Sequence, residues 1–313
     1  MGTGMGEVGT WVMRSAGIIL GVFLTFAFAL RVRRDTVIAD VDFPYSAAFV
    51  NHRGQLEVFP TAAREFSISL PIALARITYG PDGRSLYGFS PPRNQVARGL
   101  LKVDLSPIRV TSIPKSAEFG MVNDVAVSAR QDRFVFSARR MTESSPTCGI
   151  FELNLRSGVV RKIVGNSTCE YPLSWVRLSL SPDTERLVAF RKPRLELIDM
   201  ETGTIRSLGE EYIAGAWSPD GKWLAALDEG SGQHRTVLLD AVSLTRKRVF
   251  GTSNVQWSPD SRFLLGVRSG QCTPELASLV VIDIQSGKET ILESSHCKID
   301  LNTTGWIDSQ IGR

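Results

Sequence analysis

The side chains best suited to chemistry in this 313-residue chain are three histidines, four cysteines and a recurring aspartate. The histidines are His52, His234 and His296, and none stands at metal-ligand spacing from another His. His296 does neighbour Cys297, but adjacent residues on a strand point to opposite faces. "GFSPP" at 88–92 is not a GxSxG nucleophile elbow, and no phosphate-cradling glycine pattern follows a strand pattern. The aspartates, Asp82, Asp183, Asp220 and Asp260, each follow a proline in a tetrapeptide such as "SPDG". There the carboxylate caps its own turn, a stronger reading than metal ligation from four separate places. The sequence therefore predicts no catalytic set, no metal and no cofactor.

That tetrapeptide leads to the elements around it. "GPDG" at 80, "SARQ" at 128, "SPDT" at 181, "SPDG" at 218 and "SPDS" at 258 each lie between two apolar runs of strand length. A second marker, an Asp or Asn closing a β-rich run, alternates with the first, at Asp104, Asn154, Asp199, Asp240 and Asp283. The unit repeats every ~37 to 53 residues with two hairpins in it, which is the period of a four-stranded propeller blade. At the ends, "AFVNHRGQLEVF" at 48–59 reads as a second-marker hairpin around Asn51, and "TTGWIDSQIG" at 303–312 as the start of a first-marker hairpin. Together they complete a sixth blade from both ends of the chain and so remove two open sheet edges. The predicted fold class is thus all-β, a six-bladed β-propeller over residues 46–313. Trp217, Trp257, Tyr79 and Trp306 recur once per blade and read as packing between blades rather than as a ligand cage.

"WSPDG" followed by an apolar strand resembles the repeat of TolB-like six-bladed propellers, also called WD40-like repeats, from about Ser46 to Ile311. The resemblance implies the architecture and little about activity. Such blades serve as periplasmic scaffolds, as cell-envelope proteins and as lids of prolyl-oligopeptidase-type enzymes. After six blades no length is left for a hydrolase domain, so an enzymatic reading would have to use the propeller itself.

The cysteines occupy matched places in two blades: Cys148 and Cys169 in one, Cys272 and Cys297 in another. In a meander blade the second-to-third-strand loop and the loop leaving the fourth strand lie at one end, so Cys148 with Cys169 and Cys272 with Cys297 are the expected disulfides. Buried free thiols are the alternative. The bridges favour an oxidising compartment. "SAGIILGVFLTFAFAL" at 15–30 is the one long apolar stretch, shorter than the ~20 residues of a comfortable span. It reads as a signal peptide with cleavage after Ala29, starting at Met1 or Met13, or as an anchor retained over residues 1–30. Arg31, Arg33 and Arg34 after it favour the opposite orientation, with a cytoplasmic ring and reduced cysteines. Export is the reading adopted, with residues 31–45 as a linker and the membrane touched only through the amino-terminal segment.

With 36 basic against 32 acidic residues, and with "RVRR", "RKPR" and "TRKR" short and free of interleaved aromatics, no nucleic-acid surface is indicated. Both markers put short turns at one end of the blades, and the opposite end carries long polar loops, where a rigid ring binds. Arg139, Arg140, Glu170, Tyr171, His234, Arg235 and Arg268 are the candidate binding residues there. The expected role is an exported, non-catalytic platform for a protein partner of the cell envelope. The alternative is a propeller enzyme or a small-ligand receptor, for instance for a carbohydrate, that uses the central channel.

Overall fold

The structure, a computed structural model, describes residues 45–50, 55–59, 66–70, 74–90, 99–140, 147–166, 176–230, 234–269, 277–293 and 304–308. Residues 1–44, with the apolar segment and most of the linker, lie outside them. Among the described residues no helix is long and apolar enough to cross a membrane.

β1 (Tyr45–Val50), β2 (Gln55–Phe59) and β3 (Phe66–Ser69) come first. The first blade follows with β4 (Ala75–Tyr79), β5 (Ser85–Ser90), β6 (Gly99–Leu105) and β7 (Ile108–Ser112). The second holds β8 (Phe119–Val127), β9 (Arg133–Arg140), β10 (Thr147–Asn154) and β11 (Val160–Asn166). The third holds β12 (Val176–Leu180), β13 (Arg186–Arg191), β14 (Arg194–Asp199) and β15 (Ile205–Gly209). The fourth holds β16 (Tyr212–Trp217), β17 (Trp223–Asp228), β18 (Arg235–Asp240) and β19 (Arg246–Phe250), and the fifth β20 (Ser253–Trp257), β21 (Phe263–Ser269), β22 (Ala277–Asp283) and β23 (Glu289–Glu293). β24 (Thr304–Asp308) is last. These five blades are antiparallel meanders of four consecutive strands, and the remaining sheet is composite, in the order β24-β1-β2-β3. The architecture is a propeller of four-stranded antiparallel blades.

One expectation at the ends needs correction. The segment around Asn51 joins β1 to β2, the second and third strands of the composite sheet, so it is not a second-marker hairpin between third and fourth strands. The amino-terminal side contributes three strands and the carboxyl-terminal side one, with Ala47 opposite Trp306 in the β1–β24 ladder. Locally an Asn a few residues before a Gly looks the same in either hairpin, and the long-range pairing with β24 decides between them.

The middle strands of a blade are buried on both faces, as in Phe134 to Ala138 of β9 and Cys148 to Leu153 of β10. The core accordingly lies between blades. Ala126, Val135 and Ile150 of the second blade pack with Leu178, Leu187 and Ile198 of the third. Trp257 and Leu264 of the fifth pack with Ala225 and Leu238 of the fourth. Trp217 and Trp257 are 5% and 8% exposed, so they are core residues as expected. The indole N–H of Trp257 also crosses the seam to donate to the Ala216 carbonyl at 2.9 Å.

The first marker works through its side chains. Ser218 Oγ accepts the Trp223 N–H at 2.9 Å and donates to Asp220 Oδ1 at 2.6 Å, and Asp220 Oδ1 takes the Lys222 N–H at 3.1 Å. Ser181 with Asp183 and Ser258 with Asp260 repeat the pattern. Burial opposes the charge of Asp183 and Asp220, but these hydrogen bonds outweigh it and hold both carboxyls below their ordinary range. The fourth residue of every copy is left-handed: Gly83 (φ 64°), Gln131 (54°), Thr184 (65°), Gly221 (73°) and Ser261 (61°). "SARQ" has lost Pro and Asp and keeps this backbone, so it is a true member of the series.

A side chain at Gly221 would meet nothing nearer than Pro182 at 3.9 Å, which isolates backbone strain from crowding. Gly221→Thr is therefore expected to cost about 1 kcal/mol and to lower Tm, while Thr184→Gly gains up to about 1 kcal/mol. Melting curves of the two variants should shift in opposite directions.

Candidate functional site

The first strands β4, β8, β12, β16 and β20 line a central channel of about 500 Å³. Each carries a bulge toward the end away from the marker turns: between Ala75 and Thr78, Gly120 and Asp124, Val176 and Ser179, Tyr212 and Ala214, and Ser253 and Gln256. A bulge raises local twist and re-aims the extra residue. In β12 that residue is Arg177, held at φ 57°, a left-handed backbone that non-glycine residues adopt at a cost.

Arg177 lies on the channel wall, and its Nη1 is buried without a hydrogen-bond partner among the described residues. Burial pulls its pKa down, and the carboxylates of Asp124 from the second blade and Glu229 from the fourth act in the other direction. Asp124 is also structural. Its Oδ1 accepts the Val125 N–H and its Oδ2 the Leu178 N–H, both at 2.9 Å, and the second of these bonds ties the second blade to the third. Three successive blades thus place an acid, a base and an acid near one part of the channel. Thr78, Asn123 and Gln256 add polar groups to the same wall.

The irregular connections lie at the end opposite the marker turns, as expected, since β5–β6, β9–β10, β17–β18 and β21–β22 all close there. Arg139 and Arg140 end β9, His234 precedes β18, Arg235 begins it and Arg268 stands near the end of β21. The five share an end of the blades but come from three of them, and no hydrogen bond or ion pair among the described residues joins them across blades. Arg140 donates to Glu118 at 3.0 Å and lies 5.8 Å over the Phe119 ring. Arg268 is paired with Glu289 across its own blade. His234 is exposed, with Nδ1 4.0 Å from Glu229. The Nε atoms of Arg139, Arg140 and Arg235 are buried with no hydrogen-bond partner among the described residues. Glu170 and Tyr171 fall outside the described residues, as do Cys169, Cys272 and Cys297. Cys148 is buried on β10 and disulfide-bonded, and its partner is not among the described residues. Among the described residues no group of three His, Cys, Asp or Glu side chains could hold a metal ion.

Sequence reasoning missed Arg177 and Asp124. The signal was present in the repeat itself, because Arg177 stands four residues before Ser181, Asp124 four before Ser128 and Arg76 four before Gly80. Aligning the blades on their turns shows one charged position on three consecutive inner strands.

No family model matches the chain, and no curated protein does. Among solved structures it is similar to TolB from Acinetobacter baumannii, with TM-score 0.63 and 14% identity over 86% of this chain and 68% of that one. A TolB-type protein of Agrobacterium tumefaciens aligns with TM-score 0.54 and 17% identity over 83% and 93% of the two chains. An oligogalacturonate lyase from Vibrio parahaemolyticus aligns with TM-score 0.55 and 13% identity over 82% and 84%. At such identities the likeness establishes a TolB-like propeller fold and nothing of activity.

Removing Asp124 and removing Arg177 should have unequal effects on stability. Asp124→Ala strands the Leu178 N–H and is expected to cost about 1–3 kcal/mol. Arg177→Gln breaks no hydrogen bond and should leave stability within about 0.5 kcal/mol. Urea unfolding of both variants reads the difference.

Proposed function

We propose that this chain is an exported TolB-like propeller that acts as a non-catalytic platform for a protein partner in the cell envelope. The composite sheet stands in this reading as a sixth blade. Its support is the neighbourhood of β24, which touches β4 of the first blade and β20 of the fifth.

The observation that carries the platform reading is the state of the cations around the loop end and the channel. Buried donors on Arg139, Arg140, Arg235 and Arg177 that have no partner among the described residues are costly in an isolated fold, and a partner's carboxylates or carbonyls would satisfy them. Loops on a rigid ring are where such a partner docks. The disulfide at Cys148 supports an oxidising compartment, and we assign its partner as Cys169, with Cys272 and Cys297 as the matching bridge. In this reading Glu170 and Tyr171 belong to the same loop surface, and an amino-terminal segment over residues 1–30 directs export or anchors the chain.

A second reading has a specific observation behind it. The channel, about 500 Å³ and lined by Arg177, Asn123 and Gln256, is large enough for a small polar ligand such as a carbohydrate. A receptor or an enzyme would then work there, and the loops would matter less.

Photo-crosslinking in the native cell separates the two readings. With a crosslinker at position 139 or 235 of the full chain, a discrete protein adduct is expected that Arg177→Glu weakens, and position 109 at the other end should give none. Adducts that form equally at all three positions, or at 109 alone, would contradict the platform, as would free thiols at Cys148 in the native protein.

A further inference from the structure

A second concave surface lies at the marker-turn end, on the seam between the fourth and fifth blades. It is a cavity of about 460 Å³, and Lys222, Lys247, Arg248 and Arg262 converge on it around Trp223 and Ile284. Asp220 and Asp260 also line it, but both are committed to their turns, through Ser218 and the Lys222 N–H at 2.6 and 3.1 Å and through Ser258 and the Arg262 N–H at 2.5 and 3.1 Å.

The cations divide into two sorts. Lys222 pairs with Asp220 at 3.2 Å and Arg262 with Asp283 at 3.1 Å. Arg248 reaches across the seam to the carbonyls of Ile284 and Gln285 at 2.6 and 3.2 Å, and it has no ion pair among the described residues. Lys247 has no ion pair among the described residues. The charge of Lys247 reaches Asp240 only from beyond ion-pair distance, so Lys247 and Arg248 are the two cations of this half-enclosed wall that no ion pair among the described residues engages. Basic residues on an outer strand often serve only to keep that edge from pairing, and β19 is an outer strand. That role asks for charges spread along the free edge, whereas here they gather over an aromatic floor with cations of the next blade. Apolar groups stand nearby as well: Val242 and Val249 of the same blade are 87% and 44% exposed.

We propose that this seam is a docking site for an acidic, partly apolar peptide segment of a partner protein. Two carboxylates would meet Lys247 and Arg248, and an apolar side chain between them would lie on Trp223 and Ile284. The volume takes two or three side chains, and two cations without ion pairs in a half-enclosed pocket lack the basic track that a nucleic-acid backbone needs. The site is at the opposite end of the blades from the loop surface, so it stands or falls independently of the reading above.

The test uses the purified full chain and a fluorescein-labelled peptide of alternating Glu and Leu, followed by anisotropy at low salt. Binding to the native chain is expected, and it should weaken about tenfold in Lys247→Glu, in Arg248→Glu and in the peptide with Gln for Glu. Lys192→Glu, at the far end of the blades, should change nothing. Because Arg248 bonds across the seam, circular dichroism checks its variant, and Lys247→Glu, which removes no hydrogen bond or ion pair among the described residues, keeps the test valid if that variant is misfolded. Equal affinity for the Gln peptide, unchanged affinity in Lys247→Glu, or an equal loss in Lys192→Glu would overturn the proposal. So would tight binding of a uronate trisaccharide with none of the acidic peptide.

Discussion

A sheet whose middle strands are buried on both faces cannot exist alone in water, and the blades here are built on such strands. Phe134, Phe136, Leu187, Leu224 and Leu264 all stand on second strands with essentially no exposure. Each is covered only because another blade lies against it. The seams are then pinned by polar bonds at fixed heights: Tyr79 to the Ala48 carbonyl at 3.2 Å, Tyr87 to Gln131 at 2.7 Å, the Leu178 N–H to Asp124 at 2.9 Å, the Trp217 N–H to Ser179 at 3.0 Å and Trp257 to the Ala216 carbonyl at 2.9 Å. Apolar burial supplies the drive, and these bonds set how far one blade can slide on the next.

The two ends of the blades carry different chemistry as a consequence. At the marker-turn end the side chains of Ser and Asp are used up on their own backbone, and Asp199 and Asp240 ionise below the usual range because N–H and hydroxyl groups of Thr202 and Ser243 donate to them. Such an end is rigid, and it binds only where cations outnumber the acids left over, as at Lys247 and Arg248. The opposite end is looser in sequence but is fixed by bulges, and it keeps cations with unused donors. Arg177 is the clearest instance, a guanidinium drawn from water between Asp124 and Glu229 on a strained backbone.

Much of the fold could be read from the sequence because turn chemistry is local. Ser, Pro, Asp and a fourth residue that accepts positive φ act on their own backbone, so "SPDG" announces itself wherever it stands, and alternation with the Asp-led turns supplies the blade period. Even "SARQ" keeps Ser128, whose hydroxyl oxygen takes the Arg133 N–H at 3.0 Å. What failed was non-local. The role of Asn51 depends on β24, about 250 residues away, and the number of strands given by each end depends on the same pairing. The candidate site was legible only as an end of the molecule: Arg139 and Arg235 proved to hold unused donors, whereas Arg268 and part of Arg140 were spent on Glu289 and Glu118. Arg177 and Asp124 escaped because a bulge is visible only against its partner strand. The pocket at Arg248 escaped because it is made by two blades together.

If buried faces require a neighbour on each side, the composite sheet, as the proposed sixth blade, is the piece on which closure of the ring would depend. Thermal unfolding of a chain that ends at residue 302, and so lacks β24, is the most direct measurement. Loss of the single cooperative transition of the full chain, with recovery on adding a peptide of residues 303–313, is the predicted result. An unchanged Tm and an unchanged transition would contradict a ring closed by its two ends.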